Sequence, residues 1–150
     1  MIEFRTILLP VDFSPLSEIA ARYAARMAES FGSRIHVIHV LPADSLVAAL
    51  PEQGATIVTP LEPQLEQLER RLDGFIAEHL PGIAVDRRAL CGVPAVDIAR
   101  EAEELGADLI VMGTHADGVL KRLVFGSVSK SVLESAPCAV LLVPLAAASG

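Results

Sequence analysis

The chain has 150 residues, enough to bury the core of one domain but too few for two, so we expect a single domain over residues 1–150. Its 12 basic and 19 acidic residues give a net charge of −7, which argues against non-specific nucleic-acid binding, because that requires a basic surface. No apolar run reaches the roughly 18 to 20 residues of a membrane span, and the N-terminus lacks a signal-peptide pattern. We therefore expect a cytoplasmic protein without a membrane or nucleic-acid partner.

Short apolar runs alternate with amphipathic helical stretches along the chain. The predicted strands cover residues 6–11, 34–41, 83–90, 109–112 and 139–143. The predicted helices begin near residues 15, 61, 94 and 127. Residues 42–60, rich in proline, alanine and glycine, are predicted to form a long excursion with one helical turn over residues 45–50. The alanine-rich residues 145–150 are predicted to form a frayed tail.

This alternation predicts the α/β class, with an open five-stranded parallel sheet and helices on both of its faces. We expect the strand order 3-2-1-4-5, in which the order reverses between the first and the fourth strand. The third strand is more polar than the others and is expected at an edge. In such sheets, ligands bind beyond the carboxyl ends of the strands, at the point where the order reverses.

Helical spacing also predicts which side chains are buried. The first helix is expected to bury one stripe, formed by Leu16, Ile19, Ala20, Tyr23, Ala24, Met27 and Phe31. The acidic run Glu101, Glu103 and Glu104 is expected to form a solvated helix face. Cys91 and Cys138 lie far apart and outside any metal-ligand pattern, which indicates two buried, reduced thiols.

Two loops at the predicted point of reversal carry residues suited to an anion. Residues 10–12 follow the first strand, whereas Gly113 and the pair Gly126–Ser127 frame the loop after the fourth. Glycines let backbone N–H groups approach a phosphate, and a helix that begins at Ser127 directs its positive end toward the same place. The sequence therefore predicts a phosphate site there.

The sequence lacks residues that two other phosphate-binding motifs, the P-loop and the GxGxxG motif, require. Gly113 and Gly118 match the glycine spacing of a P-loop, but Val119 and Leu120 stand where Lys and Ser or Thr are required. No GxGxxG follows the first strand, which excludes a dinucleotide site of the dehydrogenase type. The sequence shows neither a nucleophile–base–orienter triad nor paired carboxylates spaced for glycosidic chemistry, and so favours a binding module over a dedicated enzyme.

Several candidate residues have a structural alternative. Asp12 either contacts a ligand or caps the first helix. His115 either touches a ligand or has a plain loop role, and Ser127 serves as a helix cap, as a phosphate donor, or as both. His39 is expected to form a hydrogen bond at the end of its strand.

Short motifs are spread along nearly the whole chain in a fixed order. They are ILLPVDFS at 7–14, HV at 39–40, GVPA at 92–95, ADLIVMGTH at 107–115, GSV at 126–128 and PCAVLLVP at 137–144. Each is weak alone, but in this order and spacing they resemble the universal stress protein family. The resemblance implies an adenine-nucleotide alpha-hydrolase-like fold, a role in stress response, and a homodimer that pairs its last strands, Ala139–Val143.

The ATP-binding members of that family carry Gly-x-x-Gly, nine residues, and then Gly-Ser or Gly-Thr. Gly113 and Gly126–Ser127 keep this spacing, but Ala116 replaces the second glycine, and Asp117 follows where many relatives have a basic residue. By resemblance, residues 10–12 and 40 contact adenine and ribose, and the loop residues surround the phosphates. The implied site residues are Pro10, Val11, Asp12, Val40, Met112, Gly113, His115, Ala116, Gly126, Ser127 and Val128. The implied cofactor is ATP, alone or with a divalent cation.

Ala116 is the clear departure from the family's loop. If the position needs a left-handed backbone, alanine costs about 1–2 kcal/mol, whereas a position that is merely close to a phosphate tolerates its methyl group. We therefore expect weakened rather than abolished ATP binding. The predicted function is a stress-response module that binds ATP or another adenine nucleotide, with at most slow hydrolysis. The alternatives are a family member that acts through protein–protein contacts without a nucleotide, and a related α/β enzyme or flavoprotein subunit.

Overall fold

A computed structural model describes residues 1–50, 54–114 and 126–145 of the chain. Its strands are β1 (Thr6–Pro10), β2 (Arg34–Pro42), β3 (Val47–Leu50), β4 (Ala55–Val58), β5 (Val85–Gly92), β6 (Leu109–Gly113) and β7 (Ala139–Val143). Its helices are α1 (Pro15–Phe31), α2 (Leu61–His79), α3 (Pro94–Leu105) and α4 (Ser127–Ser135), together with a 3₁₀ helix over Ala43–Leu46. None of these helices is long and apolar enough to cross a membrane.

The main sheet has five parallel strands in the order β5-β2-β1-β6-β7. This confirms the predicted order 3-2-1-4-5, with the predicted third strand, now β5, at one edge and β7 at the other. The order reverses between β1 and β6, where Ile7 pairs with Leu109 and Leu8 with Ile110. The carboxyl ends of these two strands therefore lie side by side.

The central strand β1 is buried on both faces, as its continuous apolar run requires. Ile7 and Leu9 belong to one core cluster, which α1 and α2 cover with residues such as Ala20 and Leu72. Leu8 belongs to a second cluster, which α3 and α4 cover. Because successive side chains of a strand alternate between faces, this division confirms the predicted helix layer on each side of the sheet.

The buried face of α1 differs from the predicted stripe. Tyr23 is 40% exposed and Phe31 is 54% exposed, so the prediction for these two residues was wrong. Leu16, Ile19, Ala20 and Ala24 of the predicted stripe are buried as expected, and Ala21 and Ala28 complete the face that meets the sheet. These alanines let the helix approach the strands closely, and the large aromatic rings lie at its flanks.

The excursion after β2 contains a hairpin rather than the predicted helical turn over residues 45–50. A 3₁₀ helix over Ala43–Leu46 precedes β3, which pairs antiparallel with β4 so that Val47 faces Val58. Gly54 adopts a left-handed φ of 62° just before β4. The alanines of β3 permit either a helical turn or a strand. The β-branched Thr56 and Val58 favour a strand in β4, with which β3 pairs.

Two predictions of burial also need correction. Glu101 does not lie on a solvated face: it is buried and paired with Arg88 of β5, whereas Glu103 and Glu104 are exposed as expected. The two cysteines are free but half-buried rather than buried, and they lie at opposite edges of the sheet. Burial, aided by Asp108, raises the pKa of the Cys138 thiol and keeps it protonated. The predicted frayed tail lies outside the described residues, except for Leu145.

Candidate functional site

A cleft of about 390 Å³ opens beyond the carboxyl ends of β1 and β6, at the point where the strand order reverses. Its volume falls within the range of about 300–1,000 Å³ that is usual for small-molecule sites. Nine of the predicted site residues line it, namely Pro10, Val11, Asp12, Val40, Met112, Gly113, Gly126, Ser127 and Val128. The other two, His115 and Ala116, lie outside the described residues, as does Asp117. That these residues bind a ligand stays a prediction.

The cleft also has lining residues that the sequence analysis did not select. They are Ser14, Leu16, Ser17, Ile38, His39, Pro42, Pro94, Ile98, Thr114 and Ser129. The serines of α1 sit in its first turn and could have been found from the capping pattern that begins with Ser14. Pro94 and Ile98 share one face of α3 because they are four residues apart, but only the sheet order places that face beside β1.

The Asp12 side chain anchors the loop between β1 and α1. Its Oδ1 accepts hydrogen bonds from the Ser14 N–H at 2.9 Å and from the Ser17 hydroxyl at 2.7 Å. Partial burial favours the neutral acid, but the hydrogen bonds from Ser14 and Ser17 outweigh it and hold the pKa of Asp12 below its usual value. Asp12 therefore presents an ionised carboxylate at neutral pH.

Asp12 does not cap α1, so the capping alternative for this residue was wrong. The N-cap is Ser14, whose hydroxyl oxygen accepts a hydrogen bond from the Ser17 N–H at 3.4 Å. Ser17 in turn has a buried hydroxyl that accepts a hydrogen bond from the Asp12 N–H at 2.9 Å. The three side chains form one network, and all three line the cleft.

The opposite wall of the cleft is formed by Thr114 and the start of α4. The Gly126 N–H donates to the Thr114 carbonyl at 3.0 Å, and the Ser129 hydroxyl donates to the same carbonyl at 2.7 Å. Gly126, not Ser127, is the N-cap residue, so the capping alternative for Ser127 was wrong. Ser127 is the first helical residue and is exposed in the cleft. This arrangement suits an anion, because the first amides of a helix carry positive partial charge.

Gly113 has a packing role that requires no ligand. A Cβ atom added at this position would lie 2.8 Å from Leu16 Cβ of α1. Contacts that short are essentially never made by real Cβ atoms, so the glycine is what lets α1 cross the end of β6. Its presence in the sequence therefore does not by itself indicate a phosphate site.

His39 forms the hydrogen bond expected at the end of its strand. Its Nδ1 lies 2.8 Å from the Val11 carbonyl oxygen. Because a carbonyl can only accept, Nδ1 carries the hydrogen of this bond. The bond ties β2 to the end of β1, where the Val11 N–H also donates to the Ile38 carbonyl at 2.8 Å. The floor of the cleft is thus fixed by backbone and side chain together.

Several known proteins are similar to this chain in sequence and in fold. The chain matches the sequence model of the Universal stress protein family over residues 3–144. It is 34% identical over 141 residues to universal stress protein MJ0531 of Methanocaldococcus jannaschii, covering 93% of this chain and 82% of that protein. The solved structure of MJ0577 from the same organism has a TM-score of 0.77 at 26% identity and covers 95% of this chain and 97% of that one.

A further solved structure shares the fold. It is a universal stress protein from Archaeoglobus fulgidus in complex with dAMP, with a TM-score of 0.68 at 23% identity. The likeness covers 95% of this chain and 98% of the other.

Proposed function

This chain belongs to the universal stress protein family and has its adenine-nucleotide alpha-hydrolase-like fold, and from that premise we propose that it binds ATP or another adenine nucleotide in the cleft between β1 and β6. The observation that carries the proposal is the convergence of Asp12 with Gly126 and Ser127 on one cleft. These residues lie more than a hundred positions apart in the sequence. The A. fulgidus relative in complex with dAMP supports the same class of ligand.

The chemistry of the walls fits the parts of such a nucleotide. Val40, Ile98 and Met112 offer apolar surface for a base, and all three lie in the second core cluster. Asp12 offers an ionised carboxylate, which is the stronger kind of acceptor for ribose hydroxyls. The amides and hydroxyl at the start of α4 suit phosphate oxygens.

In the described part of the cleft, phosphate binding would depend on dipoles more than on charge. Within residues 1–50, 54–114 and 126–145, the cleft is lined by one carboxylate and by no lysine or arginine. The same residues contain no cluster of three or more His, Cys, Asp or Glu side chains that could hold a metal ion. A divalent cation would therefore need the phosphates of ATP as ligands, with Asp12 as the carboxylate available in the described part of the cleft.

We further propose that the protein is a stress-response module of the cytoplasm. It forms a homodimer by pairing β7 with β7 of a second copy. β7 is an edge strand, and its Val140, Leu141 and Leu142 are only half-buried. An apolar edge strand can pair with a strand of another chain, and pairing with a second copy of the same protein is one way in which proteins protect such an edge.

Isothermal titration of the purified protein with ATP, AMP and GTP tests the proposal. ATP or AMP should bind with a dissociation constant that Asp12→Asn raises by tenfold or more, the effect of losing a charge-assisted hydrogen bond of about 1.5–3 kcal/mol. Asp86→Asn is the matched control, because Asp86 pairs with Arg34 on the surface of β5 and lies outside the cleft. Absence of heat with every nucleotide, from a folded protein, would favour the alternative of action through protein–protein contacts.

A further inference from the structure

Phe13 occupies an unusual place between two residues of the cleft. Asp12 and Ser14 both line the cleft, whereas the Phe13 ring packs against α2. The Arg71 guanidinium carbon lies 4.0 Å from the Phe13 ring centroid, and the Phe75 ring centroid lies 6.1 Å away in an edge-to-face arrangement. Phe13 therefore connects the loop that carries Asp12 with α2, a helix that contributes none of the described lining residues of the cleft.

His39 extends this contact to the floor of the cleft. Its ring centroid lies 5.0 Å from that of Phe13, and its Nδ1 donates to the Val11 carbonyl. We call the set Phe13, His39, Arg71 and Phe75 the Phe13 clamp. Phe13, Arg71 and Phe75 hold the β1–α1 loop from the side of α2. His39 and the network of Asp12, Ser14 and Ser17 hold it from the cleft side.

The backbone of Phe13 shows why such a clamp is needed. Its φ is 63°, and Phe13 is the one non-glycine residue with positive φ in the described parts of the chain. A bulky side chain disfavours this left-handed conformation, which persists only when the surroundings determine it. The conformation turns the chain so that the Ser14 N–H reaches the Asp12 carboxylate, two residues back.

We infer that the Phe13 clamp positions Asp12 and Ser14 for the nucleotide, so that Phe13, Arg71 and Phe75 set its affinity from outside the cleft. Phe13 and Arg71 are thus positioning residues that act through the loop without touching the ligand. The inference rests on the proposed nucleotide site, and it adds a route by which changes on α2 alter binding. A ligand that requires the turned loop binds with an affinity reduced by the fraction of molecules in which the loop has left that conformation.

Replacement of Arg71 tests the clamp without disturbing the core, because Arg71 is exposed. Arg71→Ala should weaken ATP or AMP binding by about two- to fivefold, the factor expected when a cation–π contact at an exposed site is lost. Arg70→Ala is the matched control, since it removes the same charge one position earlier on the same exposed surface. Titrations at low and high salt remove any general effect of net charge. Equal affinities for the two variants would overturn the inference.

Two replacements of Phe13 separate the ring from the backbone conformation. Phe13→Gly permits the left-handed backbone freely but removes the ring, and Phe13→Leu keeps an apolar side chain without an aromatic face. Both should bind the nucleotide more weakly than the wild type, by about tenfold for Phe13→Gly. Wild-type affinity in Phe13→Gly would show that the backbone conformation alone suffices and would contradict a role for the ring.

A measurement on the ligand-free protein distinguishes failure of this inference from failure of the proposed function. Hydrogen exchange of the Asp12, Ser14 and Ser17 amides reports whether the loop stays closed, because each donates within the network. Exchange at these amides should be several-fold faster in Arg71→Ala than in Arg70→Ala. If the wild type binds no nucleotide, the proposed function fails, and the exchange comparison still decides whether the clamp holds the loop. Unchanged exchange would overturn the clamp.

Discussion

Asp12 and Ser17 are joined by two reciprocal hydrogen bonds. The Ser17 hydroxyl donates to Asp12 Oδ1 at 2.7 Å and accepts from the Asp12 N–H at 2.9 Å. A single buried hydroxyl thus fixes both the backbone and the carboxylate of Asp12, two residues beyond the end of the central strand. These two hydrogen bonds therefore fix both the position and the charge of Asp12 in the ligand-free protein.

Ser17→Ala should raise the pKa of Asp12 toward its ordinary value and destabilise the protein by about 1 kcal/mol at neutral pH. The pKa of Asp12 is lowered in the folded protein, so its contribution to stability is present above the unfolded pKa and is lost as the pH falls through the folded pKa. The deficit of the variant should therefore shrink in acid. Carboxyl NMR titration and urea unfolding at several pH values measure both effects, with the exposed Ser30→Ala as control. An unchanged Asp12 pKa in Ser17→Ala would contradict the role given to Ser17.

Gly113→Ala should destabilise the ligand-free protein by about 1–3 kcal/mol, because the new methyl group would overlap Leu16. Gly74→Ala is the opposite case: Gly74 lies within α2, and an added Cβ would meet nothing within 4 Å. That change should stabilise by about 0.5–1 kcal/mol, since alanine favours the helix. Urea unfolding of the two variants without nucleotide makes the comparison. Equal stability of Gly113→Ala and the wild type would refute the packing role.

Much of this architecture follows from the sequence because its local signals are strong. The apolar run of β1 is long and unbroken, and the start of α1 carries both Ser14 and Pro15, so element type and order could be predicted. The hairpin β3–β4 could not, since its strands have four residues each and its alanines also permit a helix. The burial of Tyr23 and Phe31 was wrongly predicted because helical spacing alone does not tell which edge of an apolar stripe meets the sheet.

Site residues that belong to a sequence motif could be predicted, whereas features that depend on packing could not. Asp12 and Gly126–Ser127 follow from the resemblance, and all three line the cleft. Outside the cleft, the pairing of Glu101 with Arg88 also depends on long-range packing, here between α3 and β5, so spacing along one helix could not show it. The left-handed backbone of Phe13 likewise has no signal in its own residue type, which disfavours that conformation.

Ala116→Gly should tighten ATP binding by roughly tenfold, or about 1.4 kcal/mol, if the family's second glycine is needed for its backbone conformation. Adding Asp117→Arg should tighten binding further by removing like-charge repulsion, and this second gain should shrink at high salt because it is electrostatic. Titration calorimetry of the single and double variants at two salt concentrations tests both steps. A second gain that is independent of salt would contradict the electrostatic explanation.

Val140→Lys or Leu142→Lys should convert the proposed homodimer into monomers or aggregates, because either change places a charge on the β7 edge. Val96→Lys provides the control, since Val96 is 59% exposed on α3, away from that edge. Light scattering gives the mass of each variant, and circular dichroism verifies that it is folded. A dimer mass retained by both β7 variants would count against pairing through this strand.

Backbone amide NMR during titration with ATP and with AMP tests the nucleotide site most directly. We expect the largest shifts on five residues that line one cleft from both sides of the strand reversal, namely Val11, Asp12, Val40, Gly126 and Ser127. Gly126→Val should abolish those shifts, because a branched side chain would block the approach of a phosphate to the backbone. The control Val96→Lys should leave them intact. Saturable shifts confined to residues outside the cleft, or none at millimolar nucleotide, would contradict nucleotide binding in this cleft.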